Sequence, residues 1–141
     1  MNLYAESSAI AAWLLDEPAG DAVRDLLGKG EVIFASDLTL VECERVLIRA
    51  AATGTLPEAD AARRRARLTS AAAHWNLLKL DDETVERARR PFPHEPIRTL
   101  DALHVASALV VRSAVGSLAL LSLDERVRSN GERLGFEIVP G

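Results

Sequence analysis

Short apolar stretches alternate with longer amphipathic ones along the whole chain. Five of the short stretches predict buried strands, at residues 2–6, 32–35, 75–80, 118–122 and 136–139. They are apolar almost throughout rather than at every second residue, which is typical of strands that are covered on both faces. Between them, apolar residues recur at helical spacing. The alternation predicts an α/β fold, a three-layer α/β/α sandwich around a central parallel sheet of four to five short strands.

One predicted helix, residues 98–111, is apolar almost all the way round and should therefore be buried. Thr99 is a suitable N-cap residue, which places Asp101 in the first turn. Two interpretations of Asp101 are open: it complements the positive end of the helix dipole, or it belongs to a functional site at the mouth of the helix. Elsewhere, Pro18 is expected in the first turn of the second helix, and Asp124 at the start of the last.

The composition fits one domain, residues 1–141, with an aliphatic core, because 48% of the residues are hydrophobic and only 4% are aromatic. No apolar run reaches the roughly 18 residues that a membrane-spanning helix needs, and no signal peptide is evident. The single cysteine, Cys43, excludes an internal disulfide, fits a cytoplasmic location and is expected to be a small buried hydrophobe. A net charge of −4 gives no support to nucleic-acid binding by overall charge alone.

Acidic residues recur where the predicted elements would bring them together. They lie at the end of the first strand, on the helix after the second strand, in the first turn of the buried helix and just after the fourth strand: Glu6, Glu42, Asp101 and Asp124. Ligands of open α/β sheets bind beyond the carboxyl ends of the strands, so these carboxylates are candidates for one cleft. A divalent cation would relieve their repulsion, and oxygen ligands favour Mg²⁺ or Mn²⁺ over zinc. The spacing alone is a weak signal, because carboxylates near strand ends also cap helices.

The segments that carry these acids follow one another in a familiar order. Residues 3–10, 36–42, 98–106 and 121–124 resemble the four acidic motifs of PIN domains, specifically those of the VapC-like toxins of bacterial toxin–antitoxin pairs. The resemblance covers essentially the whole chain. Its most specific part is the Leu-Asp-Ala-Leu-His sequence at residues 100–104.

The resemblance implies a single PIN-like domain that acts as a Mg²⁺-dependent endoribonuclease, with Mn²⁺ as a possible substitute. The metal would activate water for attack on an RNA phosphodiester. Carried over residue by residue, the implied catalytic residues are Glu6, Glu42, Asp101 and Asp124, the implied metal ligands are Glu6, Asp101 and Asp124, and the implied substrate-binding residues are Ser8 and Ser122. His104, three residues beyond Asp101, is expected to pack beside the site rather than to act in it.

The resemblance also implies partners: a cognate antitoxin, a second copy of the chain in a homodimer, and no membrane. An antitoxin tail that folds on binding would lie on exposed apolar residues of helices 37–52 and 57–74. A cluster of arginines at residues 63–67, with Arg45 and Arg49 on the preceding helix, would either contact the RNA backbone or simply form a solvated helix face.

One residue departs from the family pattern, since Glu6 stands where PIN domains have aspartate. The longer side chain leaves three outcomes open: the backbone compensates, the nuclease is weak, or the domain binds without cutting and serves as a regulatory module. A third class, a phosphatase of similar fold, is disfavoured because Glu6-Ser7-Ser8 lacks the Asp-x-Asp pair that such enzymes carry after the first strand.

Overall fold

A parallel sheet runs through the middle of the molecule in the computed structural model, which describes residues 1–141. Its five strands lie in the order β3-β2-β1-β4-β5. They are β1 (Asn2–Ala5), β2 (Val32–Ser36), β3 (Asn76–Leu78), β4 (Ala119–Leu121) and β5 (Glu137–Val139). Every pairing is parallel, so all the carboxyl ends lie along one edge.

Helices cover both faces of the sheet. They are α1 (Ser7–Leu14), α2 (Gly20–Lys29), α3 (Asp37–Ala52), α4 (Glu58–Ala72), α5 (Asp82–Ala88), α6 (Thr99–Val115) and α7 (Glu125–Arg133). One hydrophobic cluster contains residues of the four helices α1, α2, α3 and α4 together with Leu3 and Ala5 of β1. A second contains residues of α6 and α7 together with Tyr4 of the same strand. Successive residues of a strand point to opposite faces, so β1 contributes to both clusters. The predicted three-layer α/β/α architecture is confirmed.

The central position of β1 decides where the sheet can bind a ligand. Its neighbours are β2, which follows it in the chain, and β4, which comes more than a hundred residues later. Ala5 pairs with Leu121, so the residues that follow them, Glu6 and Ser122, leave the sheet side by side. Ligands of such sheets usually bind in the crevice between two neighbouring strands whose chain connections lead to opposite sides of the sheet.

Two predicted helix starts are wrong by one or two residues. Arg98, not Thr99, is the N-cap of α6, because its backbone is extended and its carbonyl accepts the first helical hydrogen bond, from Ala102. Pro18 lies in the turn before α2 rather than in its first turn, because the helix begins only at Gly20. The predicted strand at 75–80 is likewise shorter, since only three residues pair along this exposed edge of the sheet.

Gly20 marks a close approach between α1 and α2. A Cβ atom at this position would lie 2.7 Å from the carbonyl oxygen of Ala12, which is backbone and cannot move aside cheaply. None of the helices in this chain is both long and apolar enough to cross a membrane.

A matched pair of substitutions on α2 tests this packing. We expect Gly20→Ala to lower the free energy of unfolding by about 1–3 kcal/mol because it overpacks the α1 contact. Gly28→Ala, on the same helix with nothing within 4 Å of its added Cβ, should instead raise it by about 0.5–1 kcal/mol by favouring the helical backbone. Urea denaturation measures both, and equal effects of the two changes would contradict the close approach.

Candidate active site

A pocket of about 190 Å³ opens at the carboxyl edge of the sheet, beside the ends of β1 and β4. Carboxylates dominate its lining, with a single arginine among them. The lining residues are Glu6, Ser7, Ser8, Ala11, Glu42, Cys43, Val46, Arg98, Asp101 and Asp124. The four acids predicted to converge therefore do share one pocket.

Glu6 forms the floor of the pocket and is 3% exposed. It is the N-cap of α1, and its Oε2 accepts a hydrogen bond from the backbone N–H of Ser8 at 2.7 Å. Its Oε1 accepts from the hydroxyls of Ser8 at 2.6 Å and Ser122 at 2.5 Å. Both carboxylate oxygens are thus held by the protein, and the longer side chain is accommodated by folding back onto its own helix.

The hydroxyl of Ser8 ties the end of β1 to the segment after β4. Besides donating to Glu6, it accepts from the backbone N–H groups of Leu123 at 2.8 Å and Asp124 at 3.1 Å. Ser122 is fully buried, donates to Glu6 and accepts from the same Asp124 N–H at 3.1 Å. The two serines therefore fix the position of Asp124 relative to Glu6, and Ser122 does not line the pocket.

Asp101 and Asp124 face each other across one guanidinium group. Nε of Arg98 donates to Oδ2 of Asp101 at 2.9 Å, and Nη2 of the same residue donates to Oδ2 of Asp124 at 2.9 Å. The other oxygen of Asp124 caps α7 by accepting from the N–H groups of Arg126 and Val127. The capping amides thus hold this oxygen of Asp124 at the start of the helix.

A buried chain of hydrogen bonds holds Glu42. Nε2 of His104 lies 2.6 Å from its Oε1, and the Ser7 hydroxyl donates to the same oxygen at 2.8 Å. A carboxylate can only accept, so Nε2 donates, and in the neutral ring Nδ1 accepts from the Tyr4 hydroxyl at 3.0 Å. His104 is fully buried, so it orients Glu42 from beneath without reaching the pocket.

The surroundings shift the carboxylates in opposite directions. Burial raises the pKa of Asp101, with the nearby charge of Asp124 adding to the rise and the hydrogen bond from Arg98 opposing it. Burial also acts to raise the pKa of Glu42, but the hydrogen bonds from His104 and Ser7 outweigh it, so this pKa is lowered. Glu42 is therefore the more firmly ionised of the two. Burial raises the pKa of the Cys43 thiol to about 12, which leaves it a packing residue, as predicted.

The residues present fit a hard divalent cation. In this arrangement no three Asp, Glu, His or Cys side chains lie close enough together to ligate one ion. Mg²⁺, however, is commonly held by only one or two carboxylates, with water in the remaining positions. Asp101 and Asp124 meet that requirement, because an oxygen of each lies within hydrogen-bond distance of the same guanidinium.

Comparison with known families decides what kind of domain carries this pocket. The sequence profile of the PIN domain family matches residues 3–132. This chain belongs to the PIN domain family. The resemblance drawn from the acidic motifs is thereby confirmed, and the match extends over nearly the whole chain.

Named relatives place this PIN domain among the VapC proteins. Ribonuclease VapC46 of Mycobacterium tuberculosis is 32% identical over 137 residues, which are 97% of this chain and 95% of that protein. Ribonuclease VapC35 of the same organism is 29% identical over 142 aligned positions, which cover 99% of this chain and 97% of that protein. The crystal structure of VapC20 from M. tuberculosis, a toxin that cleaves the sarcin–ricin loop, matches with a TM-score of 0.64 at 14% identity, and the match covers 96% of each chain. That structure supports the PIN fold alone.

Sequence reasoning missed Arg98 and Ser7, which line the pocket of this PIN domain, and Tyr4, which contacts His104 beneath it. Arg98 had a readable signal, because it lies three residues before Asp101 and so on the same side of a helix start. The other two had none. Ser7 reaches Glu42 from 35 positions away, and Tyr4 reaches His104 across 100 positions. Such contacts follow only from the folded chain.

The predicted basic cluster is largely paired within the chain rather than free for RNA. Arg63 forms an ion pair with Asp60 one turn away, and both Arg64 and Arg67 pair with Asp16. Arg63 and Arg67 stay largely exposed, whereas Arg64 is only 18% exposed and packs against the end of α1. Arg45 and Arg49 are different, since both are exposed on α3, the helix that carries Glu42.

Removing the Ser8 hydroxyl tests the coupling of the two strand ends. We expect Ser8→Ala to lower the free energy of unfolding by about 1.5–3 kcal/mol, because a buried carboxylate loses a charge-assisted hydrogen bond and two amides lose their acceptor. Ser70→Ala, on the exposed side of α4, is the control and should change stability by less than about 0.5 kcal/mol. Urea denaturation reports both values. A Ser8 variant as stable as the control would show that the hydroxyl is not holding Glu6.

Proposed function

We propose that this PIN domain is the endoribonuclease toxin of a VapC-type toxin–antitoxin pair, and that it hydrolyses RNA phosphodiester bonds in the cytoplasm with the help of Mg²⁺. The observation that carries the proposal is the meeting of Glu6, Glu42, Asp101 and Asp124 in one pocket of a VapC-like PIN domain. PIN-domain nucleases of the VapC type are in general metal-dependent. The choice of Mg²⁺, with Mn²⁺ as a substitute, is ours and follows from the all-oxygen donor set.

Asp101 and Asp124 are the proposed direct ligands of the ion. Oδ1 of Asp101 has no hydrogen-bond partner in the protein, and Oδ2 of each residue is shared only with the exposed Arg98. Glu6, whose oxygens are engaged by Ser8 and Ser122, would act on the ion through water. A bound divalent cation would lower the pKa of a water molecule and neutralise charge on the phosphoryl group during transfer.

Glu42 is the proposed residue that orients the attacking water. His104 and Ser7 hold its Oε1, while Oε2 has no hydrogen-bond partner in the protein and remains available to accept a proton. These two hydrogen bonds fix the rotation of the Glu42 carboxylate, so it can position a water molecule more accurately than a freely rotating carboxylate could. Accuracy matters, because a small misplacement of the water would slow the reaction. Ser8 and Ser122 are proposed to support the reaction by fixing Glu6 and Asp124, with Ser8, which lines the pocket, also near the substrate.

The toxin assignment carries partners with it. VapC relatives imply an antitoxin and an RNA substrate for this chain. We propose that the antitoxin tail wraps along α3, where Val41, Val46 and Ile48 are 57%, 36% and 38% exposed. Val46 also lines the pocket, so an inhibitor that contacts Val46 would reach the catalytic carboxylates. We also propose that the chain forms a homodimer. Sedimentation of the purified chain at twice the monomer mass would support the dimer, and sedimentation at the monomer mass would contradict it.

RNA cleavage by the purified protein tests the nuclease assignment. With a labelled single-stranded RNA in Mg²⁺, we expect cleavage that EDTA stops and that Asp101→Asn reduces at least about a hundredfold, because the ion loses a ligand. Glu125→Gln, a neighbouring exposed acid outside the pocket, is the control and should cleave like the wild type.

Two other results would change the assignment. Cleavage that survives in Asp101→Asn would remove the site from the reaction. A wild type that binds RNA without cutting it would favour the alternative function, a PIN domain whose catalysis is weakened by Glu6 and which serves as a binding or regulatory module.

The exposed arginines of α3 are the proposed RNA contacts nearest to Glu42. Arg45 and Arg49 follow it by about one and two helical turns. We expect the double change Arg45→Gln/Arg49→Gln to raise KM for RNA severalfold with little change in kcat, and to reduce the slope of log affinity against log salt by about one to two, since up to two phosphate contacts are lost. Arg63→Gln, whose charge is paired with Asp60, is the control. Equal effects of the two changes would indicate a general charge effect instead.

A further inference from the structure

The guanidinium of Arg98 lies between two carboxylates whose negative charges repel each other. Its side chain is 77% exposed, yet it makes two hydrogen bonds of 2.9 Å to carboxylates that are only 11% and 22% exposed, those of Asp101 and Asp124. One edge of an arginine normally holds the two oxygens of a single carboxylate. Here it joins one oxygen from each of two residues, which belong to the starts of two different helices.

The pocket supplies no other positive group for this task. Glu6 is held by two serines and a backbone amide, and Glu42 by a histidine and a serine. Arg98 is the one lysine or arginine in the lining. Without Arg98, the Oδ2 atoms of Asp101 and Asp124 would have no hydrogen-bond donor from the protein. The arginine therefore screens a repulsion that the fold itself creates.

The contact of Arg98 with the two carboxylates can break without a change in the fold. Arg98 lies just outside α6 as its N-cap, and its side chain stays 77% exposed while it contacts the two carboxylates. The guanidinium is the exposed partner, so water solvates it well after it leaves the carboxylates, which keeps the net free energy of the contact small. Leaving the carboxylates requires only rotation about side-chain bonds, without movement of either helix.

We propose that Arg98 is the internal counter-cation of this pocket: it holds Asp101 and Asp124 together while no divalent ion is bound, and it is displaced when one binds. The two cations compete for Oδ2 of Asp124, because the other oxygen of that residue caps α7, and two positive groups in contact repel each other. The binding of a divalent ion is then an exchange of cations at two carboxylates whose positions are already set. This inference rests on the proposed function, since it takes Asp101 and Asp124 as the ligands.

The first test measures Mn²⁺ affinity by titration calorimetry, with no RNA and no turnover. We expect Arg98→Gln to bind Mn²⁺ about threefold to tenfold more tightly than the wild type, the range that follows from removing competing exposed ion pairs. Arg89→Gln is the matched control, because Arg89 is 75% exposed and pairs with Glu86 at the same i,i+3 spacing, away from the carboxylates of the pocket. It should leave the affinity unchanged.

The second test observes displacement in the unmodified protein. The Nε–H resonance of Arg98, assigned by triple-resonance NMR of the wild type, should move and exchange faster with water as Mg²⁺ is added, while that of Arg89 stays in place. This measurement separates displacement from a merely electrostatic effect of deleting a positive charge. It also keeps the inference testable should Arg98→Gln fold poorly.

The outcomes distinguish this inference from the proposal beneath it. Tighter binding by Arg98→Gln together with the Mg²⁺-dependent shift supports the exchange. Binding that Asp101→Asn abolishes, but that Arg98→Gln leaves equal or weaker, or an Nε–H resonance that Mg²⁺ does not move, overturns the exchange and leaves the metal site standing. Absence of Mn²⁺ binding to the wild type overturns both.

Discussion

The parallel pairing of β1 with β4 is the constraint on which the pocket depends. It aligns Ala5 with Leu121, so that Glu6 and Ser122 emerge together at the carboxyl edge. The Ser122 hydroxyl then reaches Glu6 at 2.5 Å, although 116 positions separate them in the chain. Asp124, two residues further on, is placed by the same alignment. A slip of this pairing by one residue would point the strand to the opposite face and take the acids apart.

Crowding of like charge is the main cost of this arrangement, and each carboxylate is compensated in its own way. Serine hydroxyls hold Glu6, a buried histidine holds Glu42, helix amides hold one oxygen of Asp124, and an exposed arginine spans Asp101 and Asp124. The serines, the histidine and the helix amides are held in place by the fold, whereas the arginine side chain is exposed. The pocket thus combines carboxylates that the fold holds in place with one exposed positive group.

Much of this architecture could be predicted from the linear pattern. The apolar stretches located all five strands, and the buried character of α6 followed from its nearly continuous apolar surface. Errors occurred at boundaries: α2 begins at Gly20, which passes close to Ala12, although Pro18 favours an earlier start. The arginines of α4 were visible as a cluster, but the ion pairs of Arg64 and Arg67 with Asp16 depend on where the turn between α1 and α2 lies in space.

The sequence by itself determined the family, the layered fold and the four acids, because periodicity and ordered motifs are properties of the linear chain. Only the tertiary structure decided how those acids are used. The reach of Glu6 back to Ser8, the support of Glu42 by His104 and the bridging of two aspartates by Arg98 all depend on distances of a few ångströms between separate elements. Strand register and helix placement set those distances, and hydrogen bonds and ion pairs form only where the resulting geometry allows them.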